Sequence, residues 1–216
     1  MSVVRLHQVV ALLGDFPALA GVDLSVEAGE VVLFQGANGA GKTTLLRLCA
    51  GLVAPTAGTA EVLGHDLHEQ RRAVRRRVGL VGHGSGLYGD LTVSENVAFW
   101  AGLVGAGTAE VEQALHRLEV APRLHDVAVG RLSTGQRKRT ALASVVVRRP
   151  ELWLLDEPHA GLDQRGRDIV DQLIREAAAA GATVLVASHE LDRVGSLHPR
   201  PVTLAGGIIR EADHAS

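Results

Sequence analysis

Gly36-Ala37-Asn38-Gly39-Ala40-Gly41-Lys42-Thr43-Thr44 follows a short apolar run, Val31–Phe34, and leads into Thr44–Ala50, which reads as a helix. Gly36, Gly41, Lys42 and Thr43 fit the pattern G-x-x-x-x-G-K-[ST]. That pattern gains meaning only between a buried strand and a helix start, and both are predicted here. Glycines let the backbone curl so that successive N–H groups converge on phosphate oxygens, and the helix N-terminus adds its dipole. Gly36, Asn38, Gly39, Gly41, Lys42, Thr43 and Thr44 are therefore the candidate nucleotide-binding residues. Lys42 is placed to hold β- and γ-phosphates, and the Thr43 hydroxyl to ligate Mg²⁺. An ordinary Gly-rich turn would not need Lys followed by Thr at that place.

The 216 residues fit one domain, or one domain with a subdomain. Hydrophobic residues are 46% of the chain and aromatics 3%, so the core must be built from Leu, Val and Ala. A formal charge of −2 gives no overall argument for nucleic acid or an anionic membrane as partner. Cys49 is the only cysteine, expected to be a small buried hydrophobe with no disulfide within the chain. No apolar run reaches the ~18 residues of a membrane span, and the N-terminus lacks a charged-then-apolar signal. The expectation is a cytosolic protein that reaches a membrane only if another chain recruits it.

Outward from the phosphate loop, residues 3–28 read as strands and turns, with Val22, Leu24 and Val26 alternating with Asp23, Ser25 and Glu27. A short strand is predicted around Thr59–Leu63. Gln70–Arg77 is basic and reads as a solvated helix rather than an anion site, leading to the strand Val78–Val81. From about Gly84 to Arg131 the pattern becomes helical. Gly84, Gly86 and Gly89 form a loop, then Val93–Leu103 and Ala109–Leu118 read as helices capped by Thr92 and Thr108. Leu132–Gln136 opens a helix to about Val147, before Pro150. Leu152–Leu155 and Thr183–Ala187 read as buried strands around a helix Arg165–Ala180 that Gly181 stops. A weak strand, Pro201–Ala205, follows. Strands alternating with helices imply an α/β core with a mostly parallel sheet.

Asp156 follows four apolar residues and should stand at the carboxyl end of a buried strand, the edge where such sheets bind ligands. A carboxylate there can hold Mg²⁺ or its waters. Glu157 is placed to polarise a water for in-line attack on a γ-phosphate. His189 ends another buried strand and reaches the same edge, where it could hold that water. Ser133 and Gly135 open a helix and make a second anion site, although an ordinary N-cap would look the same. Ser133 lies 133 − 42 = 91 residues beyond Lys42, across the helical insertion. It is therefore best used across a dimer, with nucleotide between two copies.

With these motifs in place, the chain resembles the ATP-binding subunits of ABC transporters over almost its whole length. Leu132–Gln136, Leu-Ser-Thr-Gly-Gln, resembles the signature Leu-Ser-Gly-Gly-Gln, with Thr134 replacing a glycine. Leu152–Glu157 resembles the second nucleotide motif, with Glu157 at the catalytic base. Ala160-Gly161-Leu162-Asp163 resembles the loop that crosses the dimer, and His189 the switch histidine. The resemblance implies one cassette over 1–216, a P-loop NTPase core (1–83 and 150–216) with an antiparallel β subdomain, and a helical subdomain at about 84–149. It implies ATP and Mg²⁺ as ligands, with Ser133, Gly135 and Gln136 contacting the neighbour's ATP. It implies a homodimer sandwiching two ATP, integral membrane permease subunits as partners, no nucleic acid, and a place on the inner face of the cell membrane.

Two positions depart from the family pattern. His83 stands where a Gln usually contacts Mg²⁺ and signals to the membrane domains; imidazole can serve as ligand or water-holder. Leu13 stands where an aromatic often stacks on adenine, and Phe16 is the candidate substitute. The Gly-His pair at 82–83, Leu91-Thr92, Glu95-Asn96 and Phe99-Trp100 resemble the ATPase of the haem exporter in cytochrome c maturation. The short length, with no C-terminal regulatory domain, points the same way. Other exporters of drugs, lipids or ions, and soluble ABC proteins without transport, stay open as readings. A kinase or GTPase reading has no support from a base-specific Asn-Lys-x-Asp motif.

Overall fold

The computed structural model describes residues 1–82, 86–189 and 198–210, and the chain divides into two compact units. His83 and Gly84 lie outside the described residues.

The first unit comprises Met1–Leu80, Glu151–Glu157 and Ile174–Ser216. It opens with a long hairpin, β1 (Ser2–Leu13) and β2 (Phe16–Glu27). With β4 (Ala57–Val62) and β5 (His65–Asp66) it forms an antiparallel sheet in the order β2-β1-β4-β5. Val22, Leu24 and Val26 are buried and Asp23, Ser25 and Glu27 exposed, as period-two alternation predicts. The pairing slips between Leu6 and Val9, where Gln8 takes φ 50°. Asp23 holds this bulge by accepting the Gln8 N–H at 3.0 Å, which holds its carboxyl below the usual range.

The second sheet runs β10-β9-β3-β8-β7-β6. Its strands are β3 (Val31–Gln35), β6 (Val78–Val81), β7 (Leu152–Asp156), β8 (Thr183–Ala187), β9 (Arg200–Ala205) and β10 (Ile208–Arg210). β3 runs parallel to both β8 and β9, and β7 parallel to β8, while β10 turns back antiparallel on β9. Every residue of β7 and β8 is buried, so these strands read as continuous apolar runs rather than alternations. Parallel register puts the carboxyl ends of β3, β7 and β8 on one edge. Helix α1 (Lys42–Cys49) leaves that edge. Leu45, Leu46, Leu48 and Cys49 pack into a core of Val and Leu, with Phe34 the large aromatic. Burial pushes the Cys49 thiol up to about 12.

Helix α2 (Arg71–Arg77) buries only Val74. Two of its arginines serve the structure. Arg75 Nε donates to the Gly51 carbonyl at 2.9 Å, and Arg77 forks onto Glu151 through Nε and Nη2, both at 2.6 Å. α1 starts at Lys42, two residues earlier than the apolar pattern suggested. The two-residue β5 and the three-residue β10 had no sequence signal.

The second unit comprises Val81–Pro150 and Pro158–Leu173. It contains α3 (Val93–Gly102), α4 (Thr108–Arg117), single 3₁₀ turns at Pro122–Leu124 and Val129–Arg131, α5 (Thr134–Val146), and the start of α6 (Gln164–Ala179). Thr92 caps α3 in a capping box with Glu95, as expected. The cap of α4 is a correction. Thr108 is the first helical residue, and Gly107 takes the extended cap conformation, its N–H donated to Glu110 at 2.9 Å. A carboxylate three residues into the helix satisfies that amide without a hydroxyl at the cap. Asn96 is fully buried and stitches the preceding loop. It accepts the Tyr88 N–H at 2.8 Å and donates to the Tyr88, Leu91 and Thr92 carbonyls.

Candidate functional site

The first unit gathers the predicted phosphate-loop residues with Asp156, Glu157 and His189 at the carboxyl edge of its parallel sheet. β3 delivers the chain to Gly36, whose φ is 138°. A Cβ on Gly36 would stand 2.2 Å from the Leu204 carbonyl oxygen on β9, so only glycine fits. The chain then turns into α1 through Gly41, an N-cap that offers no side-chain acceptor. Lys42 is 8% exposed, and its ammonium donates to the carbonyls of Gly36 at 2.6 Å and Ala37 at 3.1 Å. The charge is thus held inside the loop's curl. Asn38 and Gly39 form the exposed rim, and Thr44 is buried behind.

Thr43 Oγ1 donates to Asp156 Oδ2 at 2.8 Å. Asp156 ends β7 and is 6% exposed. A hydroxyl and a carboxylate this close are hard-oxygen donors. They suit Mg²⁺, which binds one or two such protein oxygens and fills its shell with water and substrate phosphate.

Glu157 takes φ 48°, unusual for a residue with a side chain, and its N–H donates to the Ala187 carbonyl at the end of β8 at 2.8 Å. That bond extends the β7–β8 ladder by one residue and fixes the turn that aims the carboxylate. His189, two residues beyond β8, donates its backbone N–H to Glu157 Oε2 at 3.4 Å. Its Nε2 lies 3.0 Å from Asn38 Oδ1 and 3.6 Å from Glu157 Oε1. The imidazole therefore bridges the rim of the phosphate loop and the carboxylate. The sequence pointed to both His189 and Asn38 but not to this link; strand-end placement gives an edge, not a partner.

At the tip of the first hairpin Phe16 pairs with Leu13 across the turn and is 79% exposed. Its ring is open to solvent.

The second unit holds the other predicted cluster. Ser133 caps α5: its Oγ accepts the Gln136 N–H at 3.3 Å, and Gln136 Oε1 accepts the Ser133 N–H at 2.9 Å. Gly135, in the first turn, lies against the Gly161 carbonyl.

Residues 19–160 match the family model described as ABC transporter. A cytochrome c biogenesis ATP-binding export protein, CcmA, of Nitrosococcus oceani is 39% identical over 82% of this chain and 81% of its own length. A daunorubicin resistance ATP-binding protein of Streptomyces coeruleorubidus is 38% identical over 92% of this chain, which spans 64% of that relative. Among solved structures, a dimeric ATP-binding cassette in a post-hydrolysis state, bound to ADP and phosphate, superposes with a TM-score of 0.87. It is 25% identical, and the match covers 96% of this chain and 97% of that one. Fold, phosphate loop and sequence kinship agree: the chain belongs to the ATP-binding subunits of ABC transporters and is an ATPase.

Proposed function

We propose that two copies of this subunit close on two ATP molecules and drive export through separate integral membrane subunits. The observation that carries the catalytic half of the reading is the convergence of Lys42, Thr43, Asp156, Glu157, His189 and Asn38 on one sheet edge. Lys42 would neutralise β- and γ-phosphate oxygens, with the N–H groups of Gly36, Asn38, Gly39, Gly41 and Thr44 around them. Thr43 and Asp156 would hold Mg²⁺, which when bound supplies positive charge beside the phosphates. Glu157 orients a water and accepts its proton, and His189 keeps that water in line from the Asn38 side. Phe16 would stack on adenine. His83 would act as a ligand or water-holder in place of the family's Gln.

The two-copy arrangement is supported by the dimeric state named for the solved relative. Ser133, Gly135 and Gln136 would then meet the neighbour's triphosphate. No helix among the described residues is long and apolar enough to cross a membrane. Separate permease subunits would provide the path and hold the ATPase at the inner face of the membrane.

Haem or a related cargo for cytochrome c maturation is the export reading favoured by the CcmA relatives, at 35–39% identity. The daunorubicin relative favours drug export as the second reading. Two experiments separate these levels. ATP-loaded Glu157→Gln protein should run as a dimer in light scattering; a strict monomer, alone and with its membrane subunits, removes the two-copy arrangement. Deleting the gene should abolish haem-stained c-type cytochromes. Normal cytochromes with new drug sensitivity would move the cargo to the second reading.

A further inference from the structure

We infer that His159 is a positioning residue for ATP hydrolysis, holding the loop Pro158–Asp163 against α6 through Asp171. His159 is 1% exposed and Asp171 6% exposed, and Nε2 of the one lies 2.8 Å from Oδ1 of the other. A carboxylate oxygen accepts, so the ring is held as the Nε2–H tautomer. Nδ1 is buried with no hydrogen-bond partner among the described residues, which among them leaves this one bond to orient the imidazole.

The bond fixes one end of a short loop. Its far end is fixed by Asp163, whose Oδ1 accepts the Gly166 N–H at 2.9 Å and the Arg139 Nη2–H at 2.8 Å. Between the anchors, the Leu162 N–H donates to the His159 carbonyl at 3.2 Å, and Gly161 takes φ 78°. The loop so shaped presses on the start of α5. A Cβ on Gly135 would stand 2.8 Å from the Gly161 carbonyl oxygen, and one on Gly161 would stand 3.1 Å from Thr134 Cγ2. A shift of the His159 end would therefore be felt at the first turn of the Ser133 helix.

Stability alone does not call for this pair. Well-packed apolar residues at two buried sites are commonly as stable as a buried polar pair, whereas breaking such a pair strands a polar group. The buried His159–Asp171 bond instead fixes direction, because the Nε2–H meets its acceptor in one ring orientation only. The inference rests on the two-copy reading for its consequence, since Ala160–Asp163 is the segment that would meet the neighbour. Its test is arranged so that the two can fail separately.

The purified ATPase is compared as wild type, His159→Phe and His159→Gln. Phe keeps the volume and loses the donor; Gln returns an N–H near the position of Nε2. His159→Phe is expected to lower kcat by at least about tenfold, the scale of a misplaced active-site segment, with KM for ATP within about twofold. His159→Gln is expected to recover most of that kcat. Wild-type kcat in His159→Phe overturns the inference, as does a loss that His159→Gln does not repair. If His159→Phe shows no cooperative melt, Asp171→Ala decides: it removes the acceptor from α6, reduced kcat supports the inference and wild-type kcat overturns it. ATP-driven association of Glu157→Gln, measured alongside, reports on the two-copy reading alone. Its absence, both alone and with the membrane subunits, removes that reading while the kcat comparison still decides whether His159 positions the loop.

Discussion

Two helices of this chain begin at predicted anion sites, and their first turns are built in opposite ways. α1 begins at Gly41, in the left-handed region, with no side chain capping it. α5 begins at Ser133 in a full capping box, where Ser133 and Gln136 satisfy each other's backbone N–H groups. The first four N–H groups of a helix need partners from outside it. At α1 no side chain meets that need, which suits the phosphate of the proposed function, and Lys42 is already held in the loop. At α5 the side chains meet part of it, so an anion there must compete with Ser133 Oγ for the Gln136 N–H. One helix start thus leaves its amide groups open, as the proposed triphosphate site of its own unit requires, while the other has met part of that need with its own side chains and, on the proposed function, would take a ligand only by exchanging partners.

The largest test bears on the α1 end. Glu157→Gln should lower kcat by about 10² to 10⁴, the usual share of a general base, while calorimetry still detects ATP binding. An unchanged kcat would remove Glu157 as the base and shift the chemistry away from this edge. Next comes Lys42→Ala. Losing charge-assisted contacts to phosphate should weaken ATP binding by about ten- to a hundredfold. Wild-type affinity would mean that the backbone cradle alone binds the phosphates, and that the contrast between α1 and α5 lies in glycines rather than in the lysine.

The α1 end was also the more legible in the sequence. Gly36, Lys42 and Thr43 carry fixed spacing, and Asp156 and Glu157 follow an apolar run whose end is easy to place. Parallel register then brings them to one edge without further information. The Asn38–His189 bridge was not legible, because a side-chain contact spanning 151 positions leaves no periodic trace. The His159–Asp171 bond was hidden for a related reason. A histidine beside Glu157-Pro158 reads as a loop residue, and Asp171 as one more polar position on an amphipathic helix, until packing buries both. Thr108 was misread because a hydroxyl before a helical run is the usual cap signal, whereas Glu110 made glycine sufficient one residue earlier. β5 and β10 are too short to carry an alternation.

Ser133→Ala probes the α5 cap directly. A lost N-cap of this kind costs about 1 kcal/mol, or roughly 2–4 °C in melting temperature for a domain of this size. That loss should appear with nucleotide absent, because the hydroxyl then serves the helix. An unchanged melting temperature together with lost ATPase activity would mean that Ser133 is a ligand first and that the α5 start is as open to an anion as that of α1.

The smallest effect concerns what supports the sheet edge from which α1 leaves rather than the edge itself. Arg77 closes α2 and forks onto Glu151, one residue before β7 begins, so the pair ties that helix to the strand that ends in Asp156. The Arg77 hydrogen bonds hold the Glu151 carboxyl below the usual glutamate range, against a smaller opposing effect of burial. A carboxyl lowered by folding contributes stability above its unfolded value, about 4.3, and loses it as pH falls through the lower folded value. The side chains are 37% and 54% exposed, so solvent screens the pair and its worth is at most about 1 kcal/mol. Glu151→Gln should therefore lower the melting temperature by at most about 2–4 °C at pH 7, and the gap should close as pH falls below about 4. A gap that persists in acid would mean that the amide fails to pack at that place. The pair would then act through shape rather than charge, and the support of this edge would no longer be electrostatic.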